Sequence, residues 1–184
     1  MRTDGRRAEE AMAPTTLRLE SVGSPIGDLL VATLGEAVCA IAFEGGEADT
    51  HRYLGRRYGA FAQAPGRVSA RVHAALDRYF DGDMAALEGI EAAARGTTFQ
   101  ERVWNALTKI PAGQTASYAD IAERIGQPTA VRAVGHANGQ NPVPIVIPCH
   151  RVIGRDGSLT GFGGGVERKA WLLRHERALA SLDL

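Results

Sequence analysis

The apolar pattern of the chain changes period partway along, and that change confines the fold to two kinds of local structure laid down one after the other. Over residues 16–43 apolar and polar side chains alternate as they do in strands. Thr16–Val22, Leu29–Thr33 and Ala37–Phe43 carry the alternation, with the turn signal Gly23-Ser-Pro-Ile-Gly27 after the first, so a meander of three antiparallel strands is expected. Val68, Val72, Leu76, Tyr79 and Phe80 recur at helical spacing, which predicts a helix over residues 67–81 packed on one face of that sheet. Leu87–Thr98 reads as a connection, and the chain beyond it is densely helical.

Three helices are expected in quick succession. Thr98-Phe-Gln-Glu101 reads as a capping box, with Phe99, Val103, Ala106, Leu107 and Ile110 on one face before the break at Pro111-Ala-Gly113. Ser117 caps a second helix whose inner face is Tyr118, Ile121, Ala122 and Ile125, and Gly126 ends it. Gln127-Pro-Thr129 then turns the chain into a third helix over Ala130–Asn138. Two short helices across such a turn form a helix-turn-helix candidate. The third is unusually poor in side-chain bulk: Ala130, Ala133, Gly135, Ala137 and Gly139 are all small, although each mid-helix glycine costs about 1 kcal/mol relative to alanine. Either this helix packs tightly on a neighbour, or it lies in a narrow groove with Arg132 as its one long cation.

One of only two cysteines stands in Ile145-Val-Ile-Pro-Cys-His-Arg-Val-Ile-Gly154, between a proline and a His-Arg pair. With Pro148 in the first position of a helical turn, the turn's N–H groups and the charges of His150 and Arg151 would favour a thiolate at Cys149. Cys39, inside the third strand, reads as core packing. The cysteines form no C-x-x-C pair and have no metal-ligand spacing with the five histidines, so no metal or other cofactor is expected, and a reducing cytoplasm fits. A chain of 184 residues, 45% hydrophobic, buries a substantial core. No apolar run approaches the ~20 residues of a membrane span, and residues 1–14 read as a solvated tail. Net charge is zero, which gives no general pull toward nucleic acid, yet residues 93–184 carry 11 Lys/Arg against 7 Asp/Glu while residues 1–92 carry 10 against 14.

From Gly96 to Glu176 the chain resembles the bacterial form of the O6-alkylguanine-DNA alkyltransferases, the methylated-DNA–protein-cysteine methyltransferases. The matching stretches are Gly96-Thr-Thr-Phe-Gln100, Val103-Trp104, Ile110-Pro-Ala-Gly113, Ser117-Tyr118, Arg132-Ala-Val-Gly135, Asn138-Gly-Gln-Asn-Pro142, Pro148-Cys-His-Arg-Val-Ile-Gly154, Gly161-Phe-Gly-Gly164 and Arg168-Lys-Ala-Trp-Leu-Leu173. Before residue 92 the likeness is looser, mainly Ser24-Pro-Ile-Gly27 and the strands after it. The resemblance implies an α/β fold in two domains. Residues 15–92 would form a ribonuclease-H-like unit of three antiparallel strands and a helix. Residues 93–184 would form a mostly helical, winged-helix-like DNA-binding and alkyl-acceptor unit.

It also implies direct reversal of DNA damage. The alkyl group of O6-alkylguanine, and of O4-alkylthymine, in double-stranded DNA would pass irreversibly to Cys149, by a monomer with no membrane partner. A soft thiolate suits displacement at a saturated carbon, and the thioether product has no carbonyl for water to attack, so each molecule acts once. In that pattern Cys149 is the nucleophile, His150 the base acting through a water, and Glu176 the orienting carboxylate. Tyr118 assists the leaving guanine and Asn141 is the hinge. Arg132, Ala133, Gly135, Asn138, Ser117 and Arg151 belong to the DNA-binding surface, with Arg132 filling the place of the flipped base. Phe162, Gly163, Gly164 and Lys169 belong to the substrate pocket. Many relatives have tyrosine and a small hydroxylated residue or alanine where this chain has Phe162 and Gly163, so a roomier pocket is expected. Two other readings stay open: a non-catalytic lesion sensor on the same scaffold, and a cysteine hydrolase, which would need an oxyanion hole.

Overall fold

In the computed structural model, residues 14–177 are described, so the expected tail falls, apart from Pro14, outside the described residues. Strands β1 (Thr15–Val22), β2 (Leu29–Leu34) and β3 (Ala37–Phe43) form the expected antiparallel meander, with Arg18 opposite Thr33 and Val31 opposite Ile41. The sheet has a fourth strand, however. After α1 (Glu47–Tyr58), β4 (Phe61–Gln63) returns parallel to β1, giving the order β3-β2-β1-β4. Neither element was expected, and the reason is local: β4 has three residues and no alternation, while α1 buries only Leu54 and Tyr58 and so shows no apolar stripe.

Every residue of β3 is buried because both faces of that strand are covered. Cys39 and Ala40 face Leu54 and Tyr58 of α1, whereas Val38, Ile41 and Phe43 face the main core. Cys39 is core packing, as read from the sequence; its thiol donates to the Ala32 carbonyl at 3.3 Å. Helix α2 (Ala70–Phe80) turns Val72, Ala75, Leu76 and Tyr79 inward on that second face.

Helices α3 (Thr98–Leu107), α4 (Tyr118–Arg124) and α5 (Val131–Gly139) follow, and α5 packs on both of the others. The capping box of α3 sits one residue earlier than expected. Thr97 Oγ1 accepts from the Gln100 N–H at 3.3 Å, and Gln100 Oε1 accepts from the Thr97 N–H at 2.8 Å. Ser117 caps α4 as expected, in a reciprocal box with Asp120. A two-residue strand, β5 (Ala116–Ser117), pairs parallel with β6 (Val152–Ile153), and α6 (Val166–His175) closes the described chain. One apolar core runs through both halves, from Val22, Val31, Val72 and Leu76 to Val103, Leu107, Ile121, Val134 and Leu172.

Candidate active site

Cys149–Arg151 form a single 3₁₀ turn leading directly into β6, so the β5–β6 pairing anchors this turn beside the start of α4. Pro148 occupies the cap position before the turn and not its first residue. The approach to it is strained: Ile145, a β-branched residue, has φ of 76°. Asn141 holds this segment in shape, its Nδ2 donating to the Ile147 carbonyl at 2.8 Å and its Oδ1 accepting from the Val143 N–H at 3.0 Å.

Cys149 is 4% exposed, and its microenvironment differs from the expected one. Burial pushes the thiol up to about 11, although the Asn141 side chain and the Lys169 charge act in the opposite direction. The resting group is therefore a thiol. The positive charges anticipated from sequence are neutralised or tethered, and a three-residue turn carries little dipole.

Behind the cysteine, Glu176 gathers four donor contacts. Its Oε1 accepts from His150 Nε2 at 3.0 Å, Arg151 Nη2 at 2.8 Å and the Tyr79 hydroxyl at 2.7 Å, while Oε2 accepts from Arg151 Nε at 2.8 Å. Burial alone would raise this carboxyl, but the bonds from His150 and Arg151 outweigh it and hold the group ionised, well below the usual carboxylate range. His150 is fully buried, and that burial lowers its pKa, so the imidazole is neutral with its proton on Nε2. Its Nδ1 has no hydrogen-bond partner among the described residues, which leaves a lone pair free to accept a proton.

Three expectations are corrected here. Arg151 is 9% exposed, forked onto Glu176 and donating through Nη1 to the Ile110 carbonyl at 2.6 Å, so it is an internal counter-ion and not a DNA contact. Asn138 is 1% exposed and donates to the Cys149 carbonyl at 3.4 Å; it braces the nucleophile's turn from below and does not face outward. Lys169 is also fully buried, its ammonium shared between the carbonyls of Val152 at 2.6 Å and Thr160 at 2.7 Å, with desolvation lowering its pKa to about 8. It pins the ends of the loop carrying Phe162 and does not line the pocket.

The pocket itself has a volume of about 390 Å³ and brings Cys149, Asn141, Phe162, Gly163 and Gly164 together. Its far wall is Ile41, Phe43 and the Glu44–Gly46 loop, contributed by β3 and the segment after it. Phe162 packs against Phe43 at 5.4 Å and lies edge-on to His150 at 6.5 Å. Gly164 is required by space, since a Cβ there would meet the Phe43 ring at 2.7 Å. At Gly163 the nearest atom to such a Cβ is the Gly139 carbonyl oxygen at 3.9 Å, so that side of the pocket is open. Tyr118 donates to the Thr160 carbonyl at 3.0 Å, and burial, with Cys149 nearby, raises its phenol. Arg132 and Ala133 are exposed on α5, while Gly135 lies under the Tyr118 ring, with a Cβ position 3.7 Å from it. The small residues of α5 thus serve both readings: Gly135 permits close packing, and Ala133 keeps the outer face low. Ser117 spends its hydroxyl on the α4 cap.

Tyr79, Phe43 and Arg168 were not among the residues expected at the site. Arg168 donates to the Ile26 carbonyl at 2.8 Å and the Gly164 carbonyl at 3.1 Å, tying the β1–β2 turn to the pocket loop. Tyr79 and Phe43 read only as packing, and Arg168, although it opens a stretch that matches the family, carries no sign of a role at the pocket.

Comparison with known proteins agrees with this geometry. Residues 98–178 match the family described as 6-O-methylguanine DNA methyltransferase, DNA binding domain. The methylated-DNA–protein-cysteine methyltransferase of Salmonella typhimurium is 54% identical over 115 residues, which cover 62% of this chain and 65% of that protein. The Mycobacterium bovis protein of the same name is 42% identical over 172 residues, covering 91% of this chain and 97% of that one. Among solved structures, Mycobacterium tuberculosis OGT in complex with DNA superposes with a TM-score of 0.74 at 42% identity, over 89% of this chain and 93% of that chain. With a buried cysteine followed by a histidine held on glutamate, and a 42% identical relative matched along 97% of its length, the chain belongs to the methylated-DNA–protein-cysteine methyltransferase family.

Proposed function

We propose that the protein repairs double-stranded DNA by taking the alkyl group from guanine O6, and from thymine O4, onto Cys149 in a single turnover. The observation that carries this reading is the neutral His150, proton on Nε2 toward Glu176 and Nδ1 without a partner among the described residues, next in sequence to a buried thiol in a cavity walled by Phe162. His150 Nδ1 takes the thiol proton, through one water in the pattern the family implies. Sulfur then attacks the alkyl carbon as the carbon–O6 bond breaks, the electron pair passing to the guanine. Tyr118, whose raised pKa keeps it protonated, turns its hydroxyl from the Thr160 carbonyl to supply the hydrogen bond that stabilises the departing base.

The base reaches Cys149 by leaving the duplex, at a cost of a few kcal/mol that a damaged pair reduces. Arg132 on the exposed face of α5 occupies the vacated place in the stack, while Ala133 lets the helix backbone approach the groove. In this reading residues 15–92 form a ribonuclease-H-like unit and residues 93–184 a winged-helix-like one. The protein works as a monomer in the cytoplasm. No helix among the described residues is long and apolar enough to cross a membrane.

Incubation with duplex DNA containing O6-methylguanine, followed by mass spectrometry, tests the reading. The expected result is one methyl per molecule, on Cys149, with no further turnover. Repeated turnover would instead identify a hydrolase, and salt-sensitive binding without a mass change would identify a sensor. The open flank at Gly163 carries a second expectation. A Gly163→Ser variant will slow transfer of a benzyl group more than transfer of methyl, because its side chain enters space that the wild type leaves free. Equal benzyl-to-methyl rate ratios in the two proteins would remove Gly163 as a determinant of size.

A further inference from the structure

We infer that Tyr79, at the end of α2, is a positioning residue that sets the basicity of His150 by donating its hydroxyl to the shared oxygen of Glu176. The inference rests on the proposed role of His150 as the base. Tyr79 is fully buried, and its hydroxyl lies 2.7 Å from Glu176 Oε1, the oxygen that also accepts from His150 Nε2 at 3.0 Å. These two donors, together with Arg151 Nη2, compete for electron density on one atom. Each bond that Oε1 accepts disperses its negative charge and weakens its hold on the imidazole N–H. The phenol therefore limits how far Glu176 raises the basicity of His150.

The tyrosine is itself held in place. The His175 Nε2–H donates to the Tyr79 carbonyl at 2.7 Å, and the Tyr79 ring lies edge-on to His175 and to Phe80, each at 5.3 Å. The groups that bear on the Glu176–His150 pair can be named element by element. From α2 there is Tyr79, from the cysteine turn Cys149 and Arg151, and from α6 Lys169, whose charge acts on His150. Arg151 is fixed by the Ile110 carbonyl and by both Glu176 oxygens, so Tyr79 is the donor to Oε1 that can be altered without removing a charge. The contact spans 97 positions, and makes the N-terminal half part of the proton-transfer network of the C-terminal half.

Two substitutions at the same position push in opposite directions. Tyr79→Phe removes the donor. The carboxylate then binds the imidazole N–H more strongly, His150 becomes more basic, and the acid limb of the transfer rate moves to higher pH by about half a unit. Site-specific replacement of Tyr79 by 3-fluorotyrosine keeps the shape and sharpens the donor, so the limb moves to lower pH. NMR titration of the His150 imidazole, in the full chain without DNA, follows the same shifts independently of any activity. Opposite displacements in the two proteins support the inference. A midpoint unchanged in both, with rates following melting temperature alone, overturns it and reduces Tyr79 to packing. Failure of the wild type to acquire a methyl on Cys149 would overturn the proposed reaction instead, and the imidazole titration would still read the Tyr79 effect.

Discussion

Replacing Cys149 with serine will eliminate alkyl transfer while leaving duplex binding unchanged. The side chains differ by one atom, and serine fits wherever the cysteine does, so the exposed face of α5 and the cavity are undisturbed. The chemistry is not. The Cys149 thiol, pushed up to about 11 by burial, already depends on a base to lose its proton as the transition state forms. An alcohol lies several units higher still, and oxygen is a harder nucleophile toward a saturated carbon. Mass spectrometry after incubation with O6-methylguanine duplex is expected to show no methyl gain, and a titration of the same duplex in moderate salt to show wild-type affinity. Cys39 is an internal control, since it is fully buried and raised to about 11 without a histidine base beside it. A methyl appearing on Cys39 in the serine variant would refute the assignment of the site.

Glu176→Ala is expected to be nearly as severe, for a different reason. The carboxylate has a fully buried side chain and is the sole acidic partner of Arg151 among the described ion pairs. Removing it strands a buried guanidinium, the His150 N–H and the Tyr79 hydroxyl together, a loss of about 3–5 kcal/mol for the charge alone. Transfer falls as well, because His150 then has no acceptor to fix its tautomer. Glu176→Gln separates charge from shape. Because the folded carboxyl is held well below its ordinary value, its ionic contribution to stability is present above the unfolded value near 4.3 and is lost as pH falls from there toward the folded value. Urea unfolding of wild type and Glu176→Gln should therefore differ most near neutral pH, with the difference shrinking below about pH 4. A difference independent of pH would contradict the ionised state assigned to Glu176.

The elements legible in the sequence were those whose pattern repeats over several residues. The three strands, α2 and the Ser117 cap could be read because alternation, a helical stripe or a capping box extends over them. Helix α1 and β4 could not, because one is solvated on most of its surface and the other is three residues long. At the site, Cys149, His150 and Glu176 could be named, but their charge states could not. Arg151 looked like surface charge next to a cysteine; only the fold reveals that Glu176 and the Ile110 carbonyl claim its guanidinium. Lys169 and Asn138 were misjudged in the same way, since burial of a polar side chain depends on distant carbonyls that no local pattern encodes. Tyr79 was legible as a core residue, though not as a donor: its ring obeys the helical stripe, and its hydroxyl end has no sequence signature.

The core that joins Val31 and Leu76 to Val103 and Leu172 has a consequence for the order in which the molecule becomes competent. During synthesis the sheet and α2 emerge first, with one face bare until α3 and α6 arrive to cover it. Cys149 leaves the ribosome before Glu176, and only docking of the last helix gives His150 its acceptor and Arg151 its counter-charge. An incomplete chain therefore carries Cys149 and His150 without the carboxylate that orients the imidazole. The His150–Glu176 pair is thus completed only when the last helix docks.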